Sequence, residues 1–326
     1  MVRFKKVSVM DRKDMIGGEA FSFLMPVGWT VDGGIVWRVH PAMPAALNMR
    51  VRNPQGLEQL EVFPTMGYTY GPYMGPVGSK HFGNEVRPPF KNALHYLKTH
   101  LIRQRKGARI TAEEDLPMLA DAVAKSEQAV PSMQYTAGRV RIEYDVKGKP
   151  VEEDLFCVLM NLSMQGGMTI QMADKLVGMR SAKGRLDEQT KIYQTMIFST
   201  RPNLKWFNKY AQLCQSLSRA QIQRIKAVGE FSRMLSKTSS EIRESMQRTY
   251  EDRQASQDRI NKNWSQYMRG VDEYFDPLEK RAVELPSGYG KAWVNNRGEY
   301  VVTDSSLFNP NVELGGDWRQ LKKSGN

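Results

Sequence analysis

The chain has 326 residues, is 40% hydrophobic and 25% charged, and carries a formal charge of +12 at pH 7. These are ordinary globular proportions, which exclude a wholly disordered or low-complexity chain. No apolar run approaches the ~18 residues of a membrane-spanning helix. The positive excess is +7 over 1–202, +5 over 203–283 and 0 beyond. It is spread along the chain rather than gathered in a tail, and fits nucleic acid, an anionic surface, an acidic partner or simple solubility.

The first residues, MVRFKKVSVMDRKD, are basic but lack the apolar core and cleavage site of a secretory leader. A basic extension over 1–17 and a cytoplasmic chain are expected. AFSFLMP (20–26) reads as a short apolar strand, Asp32-Gly33-Gly34 as a tight turn, and GIVWRVH (34–40) as the next strand. Leu47, Met49 and Val51 alternate with Asn48, Arg50 and Arg52, a period of two that puts one set inside and the other in water. Asn53-Pro54-Gln55-Gly56 is good turn chemistry, and Leu60 and Val62 carry the return strand.

Residues 65–89, TMGYTYGPYMGPVGSKHFGNEVRPP, hold five glycines, four prolines and four aromatic rings. This composition reads as neither helix nor ordinary strand. A loop of this length in a compact domain is usually functional or disordered, and disordered segments are poor in aromatics. Tyr68, Tyr70, Tyr73 and Phe82 are interleaved with glycines that let backbone approach closely, and tyrosine offers flat area with a polar tip. These four residues are therefore the candidate partner-binding set, with a loop folded back on its own sheet as the plainer alternative.

A helix is expected next, with Phe90, Leu94, Leu97 and Leu101 at helical spacing after Pro88-Pro89. From Arg87 to Arg109 there are seven basic and no acidic residues. Lys98, Arg103, Arg105, Lys106 and Arg109 are the candidate anion-binding set, although cations also suit the end of a helix. AEEDLPMLADAVAKS (112–126) suggests a second helical piece. Val140, Ile142, Tyr144 and Val146 alternate with charged residues, Lys147-Gly148-Lys149 turns the chain, and VEEDLFCVLMNL follows as a long strand. MTIQMAD reads as another strand and LDEQTKIYQTMIF as a closing helix.

Residues 203–276 contain no proline and only two glycines. They read as helix, about 110 Å long if continuous, or as a hairpin broken near Ser236–Ser240. Ile260, Trp264, Tyr267, Val271 and Tyr274 recur at steps of four and three, the pattern of a coiled-coil seam for self-association. Trp293-Val294 and Tyr300-Val301-Val302 flank Asn295-Asn296-Arg297-Gly298, a β-hairpin whose rings would pack on the helices or the N-terminal sheet. The end, GGDWRQLKKSGN, is expected to be loose. The chain is thus expected to be α+β: an antiparallel-sheet domain over 18–201, a helical arm over 202–283, and a hairpin cap with a loose tail over 284–326.

Nucleophile-elbow, Walker and dinucleotide motifs are absent from the sequence. The four histidines have no partner at metal spacing, and Cys157 and Cys214 lie in apolar surroundings as small buried hydrophobes. Glu113-Glu114-Asp115 and Glu152-Glu153-Asp154 read as solvated turns or helix starts. No enzyme, cofactor or metal is expected.

FSFLMPVGW at the start, with Phe21, Phe23, Pro26 and Trp29, and GRLDEQTKIYQTMIFSTRPN at the end resemble the PsbP-like α/β/α sandwich over residues 18–200. That fold includes a photosystem extrinsic subunit, a Ran-binding import factor and bacterial effector chaperones. The resemblance implies a binding domain rather than an enzyme, and fold alone does not assign a function. The helical segment and tail resemble parts of a bacterial family of unassigned function. The expected function is a scaffold or assembly protein, oligomerising through the seam and binding a protein partner through 65–89. A nucleic-acid or anionic-surface binder using 98–109, and a chaperone-like client-binding module, are the alternatives.

Overall fold

The computed structural model describes residues 2–40, 42–72, 74–127, 129–164, 166–226, 271–286, 288–305 and 308–323. Among the described residues strand outweighs helix, 49% to 20%, and the strands there form three sheets.

The ten-stranded sheet runs in the order β3 (Thr30–Trp37), β4 (Ala45–Arg52), β5 (Gln59–Val62), β12 (Thr169–Ala182), β11 (Lys149–Ser163), β10 (Met133–Val146) and β9 (Arg109–Asp115). Its remaining strands are β6 (Met66–Tyr70) on β12, β8 (Asn84–Val86) on β6 and β7 (Lys80–His81) on β8. A six-stranded sheet has the order β13 (Arg201–Pro202), β2 (Gly18–Pro26), β1 (Val2–Asp11), β17 (Glu299–Thr303), β16 (Lys291–Asn295) and β18 (Trp318–Gln320). A small third sheet pairs β15 (Arg281–Pro286), β14 (Val271–Asp276) and β19 (Lys322–Lys323).

The helices are α1 (Ala93–Tyr96), which continues through a π turn at Leu97–Leu101 and a 3-10 turn at Ile102–Gln104, α2 (Pro117–Ser126), α3 (Leu186–Phe198), α4 (Leu204–Lys226) and the short α5 (Pro310–Glu313). Each of the first three has a local cause. The Asn92 side chain caps α1 by accepting from the His95 amide at 2.8 Å, Pro117 opens α2, and Asp187 and Glu188 sit in the first turn of α3.

Period two sorts the core into layers. On β11, Leu155, Cys157 and Leu159 face α1, while Phe156 and Val158 face the opposite side with α2, α3 and β2. The sheet is therefore covered on both faces, and β11 runs apolar from Leu155 to Met160 for that reason. A further core joins the six-stranded and third sheets through Phe4, Leu24, Tyr274, Leu285 and Tyr300.

The expected α+β architecture with a long helical arm is overturned. The described residues are mostly β, and Val271–Asp276 is strand paired with β15, so no helix reaches residue 276. Helix is present over Leu204–Lys226, and Ser236–Ser240 and the seam residues Ile260, Trp264 and Tyr267 lie outside the described residues. Val271 and Tyr274 belong to β14, and Tyr274 is buried among the strands of the C-terminal core. Heptad spacing misled here because a short amphipathic run near a proline reads alike in either periodicity.

Four other expectations change. Residues 2–11 form a strand between β2 and β17 rather than an extension. Asp32, Gly33 and Gly34 lie within β3, with Gly33 at φ +87° facing the Asn48 carbonyl, so the glycines serve close strand approach instead of a turn. The first part of the expected helix over 112–126 is the edge strand β9. The terminal segment is held by β18 against β16, with Trp318 and Leu321 buried. The Trp293–Val302 hairpin forms as expected and extends the sheet edge to edge through β17 on β1.

Candidate functional site

The segment 65–89 is not a free loop. Met66–Tyr70 pairs antiparallel with β12, and β8 returns parallel to β6. Its entry follows from a bulge in β12. The pairing of β11 and β12 shifts between Phe156 and Val158, and Lys175 takes φ +50°. That bulge lets β5 pair with Val177–Arg180 and β6 with Thr169–Ala173 on the same side of β12. Thr65 ties the crossing by donating to Asp174 at 2.7 Å.

At the open end of this region the α1 face of the sheet becomes polar. Gln134 of β10 lies opposite Asn161 of β11, Asn161 opposite Gln171 of β12, and Gln171 opposite Tyr68 of β6. Gln134, Asn161 and Gln171, with Thr136, Leu159 and Thr169, form the floor of a surface cleft of about 210 Å³ whose wall is Pro89, Phe90 and Lys91. Gln171 fixes the wall as a neighbouring strand would: its Oε1 accepts from the Phe90 amide and its Nε2 donates to the Phe90 carbonyl, both at 2.8 Å. Among the described residues Lys91 is the single charged one in the lining, and none there contributes a carboxylate, imidazole or thiol.

Behind the wall lies a relay of polar groups. The Arg87 guanidinium stacks over Phe90 at 4.1 Å and over Tyr68 at 5.5 Å. Its Nη1 donates to His100 Nδ1 at 3.2 Å. His100 Nε2 therefore carries the proton and donates to the Tyr68 hydroxyl at 3.3 Å, which in turn donates to Tyr96 at 3.4 Å. His100 lies four residues after Tyr96, the spacing of neighbours on one helix face, and stacks against it at 5.2 Å; a π turn spans Leu97–Leu101, and such turns recur at functional positions. Burial, then the neighbouring Arg87 charge, holds His100 below its ordinary pKa, and burial pushes the Tyr68 hydroxyl up to about 12.

Of the partner-binding candidates, Tyr68 is only 1% exposed and supports the wall from within. Tyr70 is 42% exposed and pairs with the lining residue Thr169, which puts it on the rim. Phe82 is 40% exposed at the β7–β8 turn, φ +50°, with its ring against His81 at 4.4 Å. Tyr73 lies outside the described residues.

The basic set is largely spoken for. Lys98 pairs with Glu113 at 2.7 Å and Arg109 with Glu143 at 2.9 Å. Arg105 turns inward, bidentate on Glu153 at 2.9 Å and on Glu61 at 2.8 Å, with its guanidinium over Phe63. Burial alone would lower its pKa, and the two carboxylates reverse that. Arg103 and Lys106 are exposed. Glu153, expected in a solvated run, is fully buried as this partner.

Sequence reasoning missed the amide row Gln134, Asn161 and Gln171. A signal existed: the Lys147-Gly148 turn sets the β10–β11 register, and that register places Gln134 opposite Asn161. It also missed Asp11, whose carboxylate accepts from the indoles of Trp37 at 2.8 Å and Trp206 at 2.9 Å and from the Arg12 and Gly17 amides. No metal-holding group of acidic, His or Cys residues occurs among the described residues, and no helix there is long and apolar enough to cross a membrane. No known family profile and no curated protein matches the chain.

Proposed function

We propose that this chain is a non-enzymatic binding protein, holding a polar group of its partner in the cleft between the β10–β12 floor and the Pro89–Lys91 wall. The observation that carries the reading is the wall's construction. Phe90 is clamped by Gln171 on its backbone and by Arg87, Tyr68 and Tyr96 around its ring. Such support makes a fixed, preformed site. The lining supplies hydrogen-bonding amides and hydroxyls without a general base or a thiol nucleophile, and His100 is engaged by Arg87 and Tyr68. Tyr70 extends the contact to the rim, so the 65–89 segment acts through Tyr70 outside and through Tyr68 and Arg87 beneath. The coverage of one sheet by helices on both faces also favours the PsbP-like likeness over residues 18–200.

Thermal-shift screening of the full chain against saccharides, short peptides, nucleotides and fatty acids tests the reading, with Asn161→Leu as the cleft control. A class that raises Tm in the parent and not in Asn161→Leu is the expected result. Stabilisation by no class, or equal stabilisation of both proteins, overturns it.

A further inference from the structure

The chemistry left free in the cleft is specific. Gln171 is consumed by the Phe90 backbone, and Thr136 accepts from the Ala93 amide at 3.0 Å, which leaves its O–H to donate. Asn161 donates to Ser163 at 3.3 Å and keeps its carbonyl oxygen. The exposed Gln134 carboxamide offers a donor and an acceptor beside it, and cross-strand neighbours lie about 5 Å apart at Cβ, close enough to converge on one ring. Thr169 adds a hydroxyl, and the Lys91 ammonium pairs with no carboxylate among the described residues.

Several ligand classes fit poorly. A cationic group would meet Lys91 and no carboxylate. A phosphate would find one ammonium and no arginine fork in the lining. A flat aromatic ligand needs an open ring face, and Phe90 is 3% exposed beneath Arg87. At about 210 Å³ the cleft falls below the range where drug-sized ligands begin, about 300 Å³. What remains is a small ring bearing several hydroxyls, each donor and acceptor at once, with room for one negative charge at Lys91.

We propose that the cleft takes a single saccharide ring, a hexose or hexuronic acid unit, free or at the end of a glycan. This rests on the binding reading above and names its ligand class. Gln134, Asn161 and the two threonines engage the hydroxyls, and Lys91 takes the carboxylate of a uronic acid.

The test follows the side-chain amide signals of Gln134 and Asn161 by NMR in the full ¹⁵N-labelled chain. The probes are glucuronate, galacturonate, glucose, galactose and the tripeptide Ala-Ser-Ala. The expected result is saturable shifts of both amides by at least one saccharide with a Kd of about a millimolar, the affinity of a ligand of this size. Uronates should bind tighter than hexoses, a preference that Lys91→Gln removes. Gln134→Leu, at an exposed position, should weaken binding about tenfold, the loss of one hydrogen bond. Shifts with the tripeptide and with no saccharide would refute the ligand class and keep the binding role. An absence of shifts with every probe would refute the saccharide proposal, the binding role then being decided by the nucleotide and fatty-acid arms of the thermal-shift screen. Saccharide shifts that survive Gln134→Leu and Asn161→Leu unchanged would place the ligand elsewhere and refute the proposal.

Discussion

Asp11→Ala should be among the most damaging single substitutions outside the apolar core. Asp11 sits at the end of β1, is 6% exposed, and holds Trp37 of β3 and Trp206 of α4 through their indole N–H groups. One carboxylate thus joins a strand of each large sheet to the first turns of α4. Removing it leaves the Trp206 N–H, on a residue 5% exposed, without its acceptor. Hydrogen bonds to a charged group are worth about 1.5–3 kcal/mol each and an orphaned buried donor about 1–3 kcal/mol, so a loss of about 3–5 kcal/mol is expected. Asp11→Asn should recover little, because its NH₂ would face one of the indole donors. Trp206→Phe removes one donor and spares the carboxylate, so a loss of about 1–2 kcal/mol, hydrogen bond plus packing, is expected. Urea unfolding read by tryptophan fluorescence gives each value, and limited proteolysis within Leu204–Lys226 reports whether α4 has come away. Burial alone would raise the Asp11 carboxyl, but the indole and amide donors outweigh it and hold its pKa below the ordinary 3.8. Its contribution is therefore present above that value and lost as pH falls through the folded-state pKa, and Asp11→Ala should flatten the acid limb of the stability curve. A loss under about 1 kcal/mol with α4 still protected would refute the clamp, since one buried and one half-buried charged hydrogen bond cannot be that cheap to remove.

Further outcomes follow from the same geometry. His100 should titrate below 6.5, and its share of stability should fade as pH drops below that value while the unfolded chain takes up the proton first. An NMR titration of its ring giving a pKa at or above 6.5 would contradict its burial beside Arg87. Arg105→Met should cost about 3–5 kcal/mol by leaving the fully buried Glu153 without its cation, while Glu61 keeps Arg50 at 2.6 Å, whereas Arg103→Ala at an exposed site should stay within about 0.5 kcal/mol; similar denaturation midpoints for the two would undo the distinction. Gly33→Ala should destabilise by more than about 2 kcal/mol, since a Cβ there would stand 2.3 Å from the Asn48 carbonyl oxygen at φ +87°. Gly18→Ala, at φ +80° with open space around it, carries only the conformational cost of about 1 kcal/mol, and equal Tm values would show that strand approach is not what Gly33 serves.

Local chemistry alone determined a good deal of this protein. The strand ending at Pro26, the Asn53–Gly56 turn with its flanking strands, the Lys147-Gly148 hairpin, the closing helix Leu186–Phe198 and the Trp293–Val302 hairpin all stand where residue pattern puts them. In each, turn residues and hydrophobic periodicity agree within a dozen or so neighbours, so no distant contact is needed to choose the structure. Burial of Cys157 and Cys214 was legible for the same reason.

Tertiary structure decided what depended on distant partners. The 65–89 segment folds onto β12 because a bulge about a hundred residues later opens room for β6. The basic stretch lost its apparent anion site when Glu61, Glu113, Glu143 and Glu153 arrived from other strands. The expected helical seam ended in β14 because Val271 and Tyr274 met β15 and the C-terminal core. The cleft and the Asp11 clamp each need side chains from several elements far apart in sequence. A chain's order carries no record of which of its many polar residues will meet, and only closure of the sheets brings those few together.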